Sequence, residues 1–146
     1  MKKQSNTALP HIGICTRLKH SKIHKGGVGV FAIIDIPKGT NIFGGDVVKM
    51  VWIDRNKVKH VDPEIKKLYN DFCVIKGDKY GCPVNFNSMT IGWYLNHSKT
   101  NPSVGITKSY DFVALRNIKK GEELSTDYAT FNEPPEKKLR PGRFYR

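Results

Sequence analysis

Tyr128 closes the run Glu122-Glu123-Leu124-Ser125-Thr126-Asp127-Tyr128. A tyrosine at a strand end ordinarily packs as an amphipathic ring, but its phenol can also be set against a reacting amine. Further back lies Tyr94-Leu95-Asn96-His97-Ser98, followed by Asn101-Pro102-Ser103. Asn96 both donates and accepts, so it can read an adenine edge or a ligand ammonium. Equally, Asn and Ser here can bond to the backbone and close a polar turn. His97 and Ser98 are neighbours that point apart on an extended chain, and no G-x-S-x-G elbow is present, so a Ser-His hydrolase is excluded. The third segment is Gly27-Val28-Gly29-Val30-Phe31-Ala32. Its glycines allow close approach of backbone to a ligand, or mark only a tight turn at a strand entrance. Without a third glycine opening a helix, it is not a dinucleotide fingerprint.

These residues need elements to hold them. Short apolar runs predict strands at Ile12 to Leu18, Val28 to Ile34, Ile42-Phe43, Val47 to Ile53, Cys73 to Ile75 and Tyr110 to Leu115. Lys120-Gly121 is a turn leading into a last short strand that ends at Tyr128. One helix is well signalled. Asp62 is a good N-cap, Pro63 fits the first turn, Glu64 complements the dipole, and Ile65, Leu68, Tyr69 and Phe72 share one face. Many short strands with one helix predict a mainly β single domain. The segments IPKGTNIF (36–43) and IKKGEELS (118–125) echo each other through a shared turn grammar.

The chain has 146 residues, 38% of them apolar, which suits one domain with one core. No stretch approaches the roughly 20 apolar residues of a membrane span. The N-terminus has no apolar signal region, so an intracellular, non-secreted protein is expected, and the formal glycosylation sequon at Asn96 carries no weight. Three widely spaced cysteines, Cys15, Cys73 and Cys82, are read as free thiols, with neither a disulfide framework nor a zinc pair. His20 and His24 have helical metal-pair spacing but sit in a Gly- and Lys-rich loop, so no metal is expected. The net charge of +12 predicts attraction to polyanions: nucleic acid, nucleoprotein or an acidic protein surface.

In this order the three motifs resemble the SET-domain family of protein-lysine methyltransferases, over roughly residues 13–131. The family is marked by a G-x-G entrance, an N-H-S segment and a G-E-E-L-x-x-D-Y ending. The resemblance implies several small curved sheets with a knot-like C-terminal threading. It divides the chain into an N-terminal arm (1–10), a SET domain (11–131) with a variable insert at about 46–83, and a basic, aromatic tail (132–146). S-adenosylmethionine would be the methyl donor, held by the backbone of Gly27, Val28 and Gly29, by the side chain of Asn96 and by the backbone of His97. Tyr128 would be the catalytic tyrosine. Tyr80, Tyr94 and Phe131 would line the lysine channel, and Phe131, Phe144 or Tyr145 would cover the adenine. Proton loss to solvent would need neither a strong base nor a metal. The chain departs from the pattern in three ways: Lys99-Thr100-Asn101-Pro102-Ser103 replaces the usual C-x-P-N, Thr126 stands where some members carry Phe or Tyr, and no zinc-binding cysteines follow Tyr128.

A protein-lysine acceptor, histone-like or other, is the expected substrate, approached past acidic residues such as Asp46, Asp54 or Asp111. The alternative is a non-catalytic SET-like module that docks on nucleic acid or an acidic protein. A third possibility is a small-amine acceptor. No membrane partner is expected.

Overall fold

The computed structural model describes residues 9–44, 46 and 50–132. Most of the expected arm, the tail from 133 onward and the 47–49 part of one expected strand lie outside the described residues. In chain order the elements are β1 (Thr16–His20), β2 (Val28–Ala32), β3 (Val51–Asp54), α1 (Pro63–Phe72), β4 (Val74–Lys76), β5 (Lys79–Cys82), β6 (Asn96–His97), β7 (Val104–Ile106), β8 (Phe112–Ala114) and β9 (Glu123–Thr126). Four short 3-10 turns link them, at Arg55–Val58, Phe86–Ser88, Ile91–Tyr94 and Tyr128–Thr130. The expected mainly β architecture with short helices is what the chain adopts. No helix among the described residues is long and apolar enough to cross a membrane.

Two sheets divide the work. The larger has the order β1-β2-β9-β7-β8, with β6 also paired to β9; the smaller has the order β3-β5-β4. Strand β9 is the hub. It runs antiparallel to β2 through Val30↔Leu124 and parallel to β6 through Asn96↔Ser125 and His97↔Thr126. It also pairs in parallel with β7 through Val104↔Thr126. Because β9 has neighbours on all these strands, Leu124, Ser125 and Thr126 are all buried, as are Val30, Phe31 and Ala32 of β2. The edge strand β1 alternates instead, exposing Arg17 and Lys19.

The main core joins Val30, Ile36, Leu95, Val104, Ile118 and Leu124. Ile36 and Ile118 explain the echo between their segments. They form an antiparallel bridge, each accepting a hydrogen bond from the other's N–H at 2.8 Å, and each is 1% exposed. The Lys-Gly turns that follow them, at Gly39 (φ 87°) and Gly121 (φ 90°), both occupy left-handed space that a β-carbon would strain. A second, smaller core gathers Val58, Cys73, Ile75, Tyr80 and Cys82, with Tyr69 of α1 packed on it.

Helix α1 starts as expected: the Asp62 carboxylate accepts from the Glu64 N–H at 2.8 Å and Pro63 takes the first position. Its apolar face is only partly used. Tyr69 stacks near Tyr80 and Phe86, and Phe72 lies edge-on to Tyr94, but Ile65 is 45% exposed because only the C-terminal half of the helix reaches the cores. Two expected strands begin late. Ile12 and Ile14 are exposed around Gly13 (φ 81°), so β1 starts at Thr16. Tyr110 takes φ 64° at the end of a turn closed by its N–H bond to Thr107, so β8 starts at Phe112.

Candidate active site

The parallel pairing of β6 with β9 sets Leu95-Asn96-His97 alongside the chain that leads into Tyr128. After β9, the Asp127 carboxylate caps a single 3-10 turn by accepting from the Ala129 N–H at 3.0 Å. Tyr128 is then gripped at both ends. Its N–H donates to His97 Nδ1 at 3.0 Å, and its hydroxyl donates to the Leu95 carbonyl at 2.6 Å. Its ring is only 8% exposed and lies 5.0 Å from the His97 ring and 5.9 Å from Phe131, the latter edge-on.

His97 serves this arrangement in its neutral form, since Nδ1 must carry a lone pair to accept. Burial lowers its pKa below the ordinary 6.5, outweighing the Asp127 carboxylate 3.9 Å away. The conformation that holds Tyr128 and the protonation state that burial favours are the same.

Asn96, 3% exposed, reaches in the opposite direction along the chain. Its amide nitrogen donates to the Val28 carbonyl at 2.9 Å, with Ser21 Oγ at 3.1 Å and Glu123 Oε2 at 3.3 Å. The Glu123 carboxylate in turn accepts from the Ser21 hydroxyl (2.6 Å) and from the N–H groups of Lys22 (2.6 Å) and Ile23 (3.1 Å). This anchors the loop between β1 and β2. It also accounts for Gly29, where a β-carbon would run into Glu123 Oε2; one on Gly27 would meet only the His24 ring. Residues from the glycine turn, the Asn96-His97 strand and the Tyr128 turn are thus joined through Leu95 and Asn96.

Beside Tyr128 opens a cavity of about 550 Å³. Its inner wall includes Leu95, Thr126, Tyr128 and Phe131, and its flanks are aromatic, with Phe43, Trp52, Phe72, Trp93, Tyr110 and Phe112. Gly27, Val28, Gly29, Asn96 and His97 are not among its walls; Asn96 bonds to the Val28 carbonyl, and His97 holds the Tyr128 N–H.

Two expected channel residues are elsewhere. Tyr80 is 2% exposed in the second core, its hydroxyl donating to Asn70 Oδ1 at 2.9 Å, because the β3–β5 register turns it towards Val58 and Cys73. Tyr94 packs on the main core and against Phe72, while its neighbours Trp93 and Leu95 meet the cavity as the 3-10 turn straightens. Phe131 does line the cavity; Phe144 and Tyr145 lie outside the described residues. Of the three acidic residues expected near the entrance, Asp46 and Asp111 line the cavity, whereas Asp54 faces Lys79 at 3.6 Å. The aromatic flanks come from segments far apart in the chain, and no local motif marks them.

The departure at Ser103 also has a place. Ser103 is fully buried; its N–H donates to the Ser125 carbonyl (3.0 Å) and its hydroxyl accepts from the Ser125 N–H (3.1 Å). A short polar residue here pins the loop before β7 to β9. Cys73, a cavity wall, stands opposite Cys82 across β4–β5; both are free and buried, and a hydrogen bond between them together with burial pushes the Cys73 thiol well above its usual range.

The sequence profile of the SET domain matches residues 27–129. No curated protein matches the chain. Among solved structures, the chain is similar to a Plasmodium falciparum protein whose assignment as a histone methyltransferase is provisional, at 22% identity and TM-score 0.50, covering 79% of this chain and 93% of that one. It is also similar to a chain of Polycomb Repressive Complex 2 in an autoinhibited conformation bound to S-adenosylmethionine, at 20% identity and TM-score 0.55. An inhibitor-bound, humanized mutant of that complex from Chaetomium thermophilum gives 19% identity and TM-score 0.56. Both likenesses cover 84% of this chain but only 16% of the far longer Polycomb chain. At these identities they bear on the fold.

Proposed function

The chain belongs to the SET-domain family, and from that premise we propose that it transfers a methyl group from S-adenosylmethionine to a lysine side chain of a protein. The observation that carries this reading is Tyr128, its phenol held by the Leu95 carbonyl and its N–H by His97, at the inner wall of a cavity with aromatic flanks. A lysine amine is protonated at neutral pH, with an ordinary pKa of about 10.4, and must be neutral to act as a nucleophile. Aromatic walls strip water from the amine and favour the neutral form. The Tyr128 proton is committed to the Leu95 carbonyl, so towards an incoming amine the phenol oxygen acts as an acceptor. Accepting an amine N–H there turns the nitrogen lone pair towards the open side, and that alignment can contribute several kcal/mol. The phenol orients the amine and need not deprotonate it.

The donor would be held by residues joined to this cavity through Leu95 and Tyr128. Val28 and Asn96 meet through the carbonyl–amide contact, which brings backbone polar groups and a fixed amide to one place, and the rings of His97, Tyr128 and Phe131 offer flat faces beside it. Gly27, Val28, Gly29, Asn96, His97 and Phe131 would hold S-adenosylmethionine, which supplies a methyl group on a sulfonium. The positive charge of the chain, +12 overall, would steer the enzyme towards nucleic acid or nucleoprotein.

Labelled methyl transfer to histones, ribosomal proteins and the chain itself tests the reading and narrows the substrate. Tyr128→Phe should lower turnover about a hundredfold or more while the protein stays folded; unchanged turnover would sink the assignment. The competing reading, a non-catalytic module on a polyanion, predicts no S-adenosylmethionine binding by titration calorimetry alongside salt-sensitive nucleic-acid binding.

A further inference from the structure

Strand β4 is an open edge of the smaller sheet, whose order is β3-β5-β4. An edge strand turns alternate N–H groups away from its neighbour, and each needs a partner or water. Ile75 pairs with Tyr80 of β5 and is 1% exposed, so its outward N–H has little water to bond. It donates instead to Asn132 Oδ1, a side chain 57 positions further along the chain. Asn132 is anchored at its backbone as well. Its own N–H donates to the Tyr128 carbonyl at 2.9 Å, beside the Phe131 N–H, which donates to the same oxygen at 3.2 Å. One residue thus ties the turn that carries Tyr128 to an edge of the other sheet.

The tie crosses the cavity. Cys73 and Val74, at the start of β4, are walls on one side, and Tyr128 and Phe131 are walls on the other. Asn132 is a wall too, bonded to both sides. Among the described residues no strand pairing joins the two sheets, so their spacing rests on contacts of side chains. Phe72 against Tyr94 and Trp52 against Tyr110 are ring contacts, and apolar attraction is non-directional, so such surfaces can slide. A hydrogen bond to a fixed backbone N–H is directional and weakens steeply when bent below about 120°. The directional contact decides the fine placement.

We propose that Asn132 is a positioning residue for Tyr128: its amide sets the gap between the tyrosine turn and β4, and through that gap the place where the phenol meets an acceptor. The effect on turnover rests on the methyltransferase reading; the placement itself rests on the contacts alone. Asn132 acts through Tyr128 rather than on the reacting atoms. Its loss should therefore slow the aligned step while leaving the grip on the acceptor segment and on S-adenosylmethionine nearly unchanged.

The test uses the full chain labelled with fluorotyrosine, the Tyr128 fluorine signal being identified by its absence in Tyr128→Phe. Asn132→Leu keeps the bulk of the side chain and removes the acceptor, whereas Asn132→Asp keeps an acceptor oxygen. Asp62→Ala removes the cap of α1 and serves as a control for lost stability alone. The Tyr128 signal should move in Asn132→Leu, and stay near its wild-type position in Asn132→Asp and in the control. On a lysine peptide, kcat should fall about tenfold in Asn132→Leu with KM within about twofold, and Asn132→Asp should recover most of the loss. The Ile75 amide should exchange slowly with deuterium in the wild type, a reading that does not depend on the variants folding. Rapid exchange there would overturn the inference. So would an unmoved Tyr128 signal in Asn132→Leu, or a fall in kcat matched by Asp62→Ala at an equal drop in thermal midpoint. A moved signal with no methyl transfer by the wild type would instead keep the placement and remove the enzyme.

Discussion

Tyr128 shows how one side chain can be held by chemistry that also sets its pH range. Its N–H rests on a neutral His97, whose pKa burial lowers. A group with a depressed folded pKa contributes stability that is present above its unfolded pKa and is lost as pH falls through the folded value. For an imidazole this means full support at neutral pH and progressive loss below about 6.5. Thermal midpoints measured from neutral pH downward should therefore fall in the wild type and fall less in His97→Asn, whose amide oxygen can take the place of Nδ1. A parallel decline in both would show that His97 is not the group responsible. Tyr128→Phe has its own folding cost of about 1 kcal/mol, because the Leu95 carbonyl loses its donor, and urea unfolding would measure it apart from turnover.

At the level of elements, the loop between β1 and β2 is held by a carboxylate from β9, and Gly29 makes room for it. Gly29→Ala should cost about 1–3 kcal/mol by pushing Glu123 off the loop. S-adenosylmethionine affinity should fall with it, whereas a stable variant with unaltered affinity would free Gly29 from both roles. The same region marks what the sequence could and could not tell. Asp62-Pro63 and the apolar spacing placed α1 because helix caps and faces are local signals. The convergence of Val28, Asn96 and Tyr128 was legible only as three motifs in a familiar order; no local pattern says that β9 pairs with β2, β6 and β7 at once. Tyr80 and Tyr94 were misplaced for the same reason. A one-residue change of register or the end of a 3-10 turn decides which side an aromatic faces, and that decision belongs to the pairing strand. Tyr110, expected to begin a strand, instead takes φ 64° and is a wall of the cavity.

Seen whole, the molecule separates charge: a basic exterior surrounds a cavity whose described walls carry carboxylates and no cation. It also depends on distant pairings, such as the hydrogen bond from Ser21 to Glu123 across 102 positions. Folds dominated by such contacts refold in roughly milliseconds to seconds, slowly for their size. A chain cut after Gly121 should show no cooperative unfolding transition by circular dichroism; a sharp transition in that fragment would mean that the remaining strands make a core without β9.

The late position of β9 has a consequence during synthesis. A ribosome releases β2, β6 and β7 before the strand at the centre of the larger sheet exists, and until then they expose edges that await it. Until then Leu95 lacks the phenol it accepts from, and the cavity lacks the inner wall that Thr126 and Tyr128 supply. Sheet and candidate site therefore close together, when β9 takes its place.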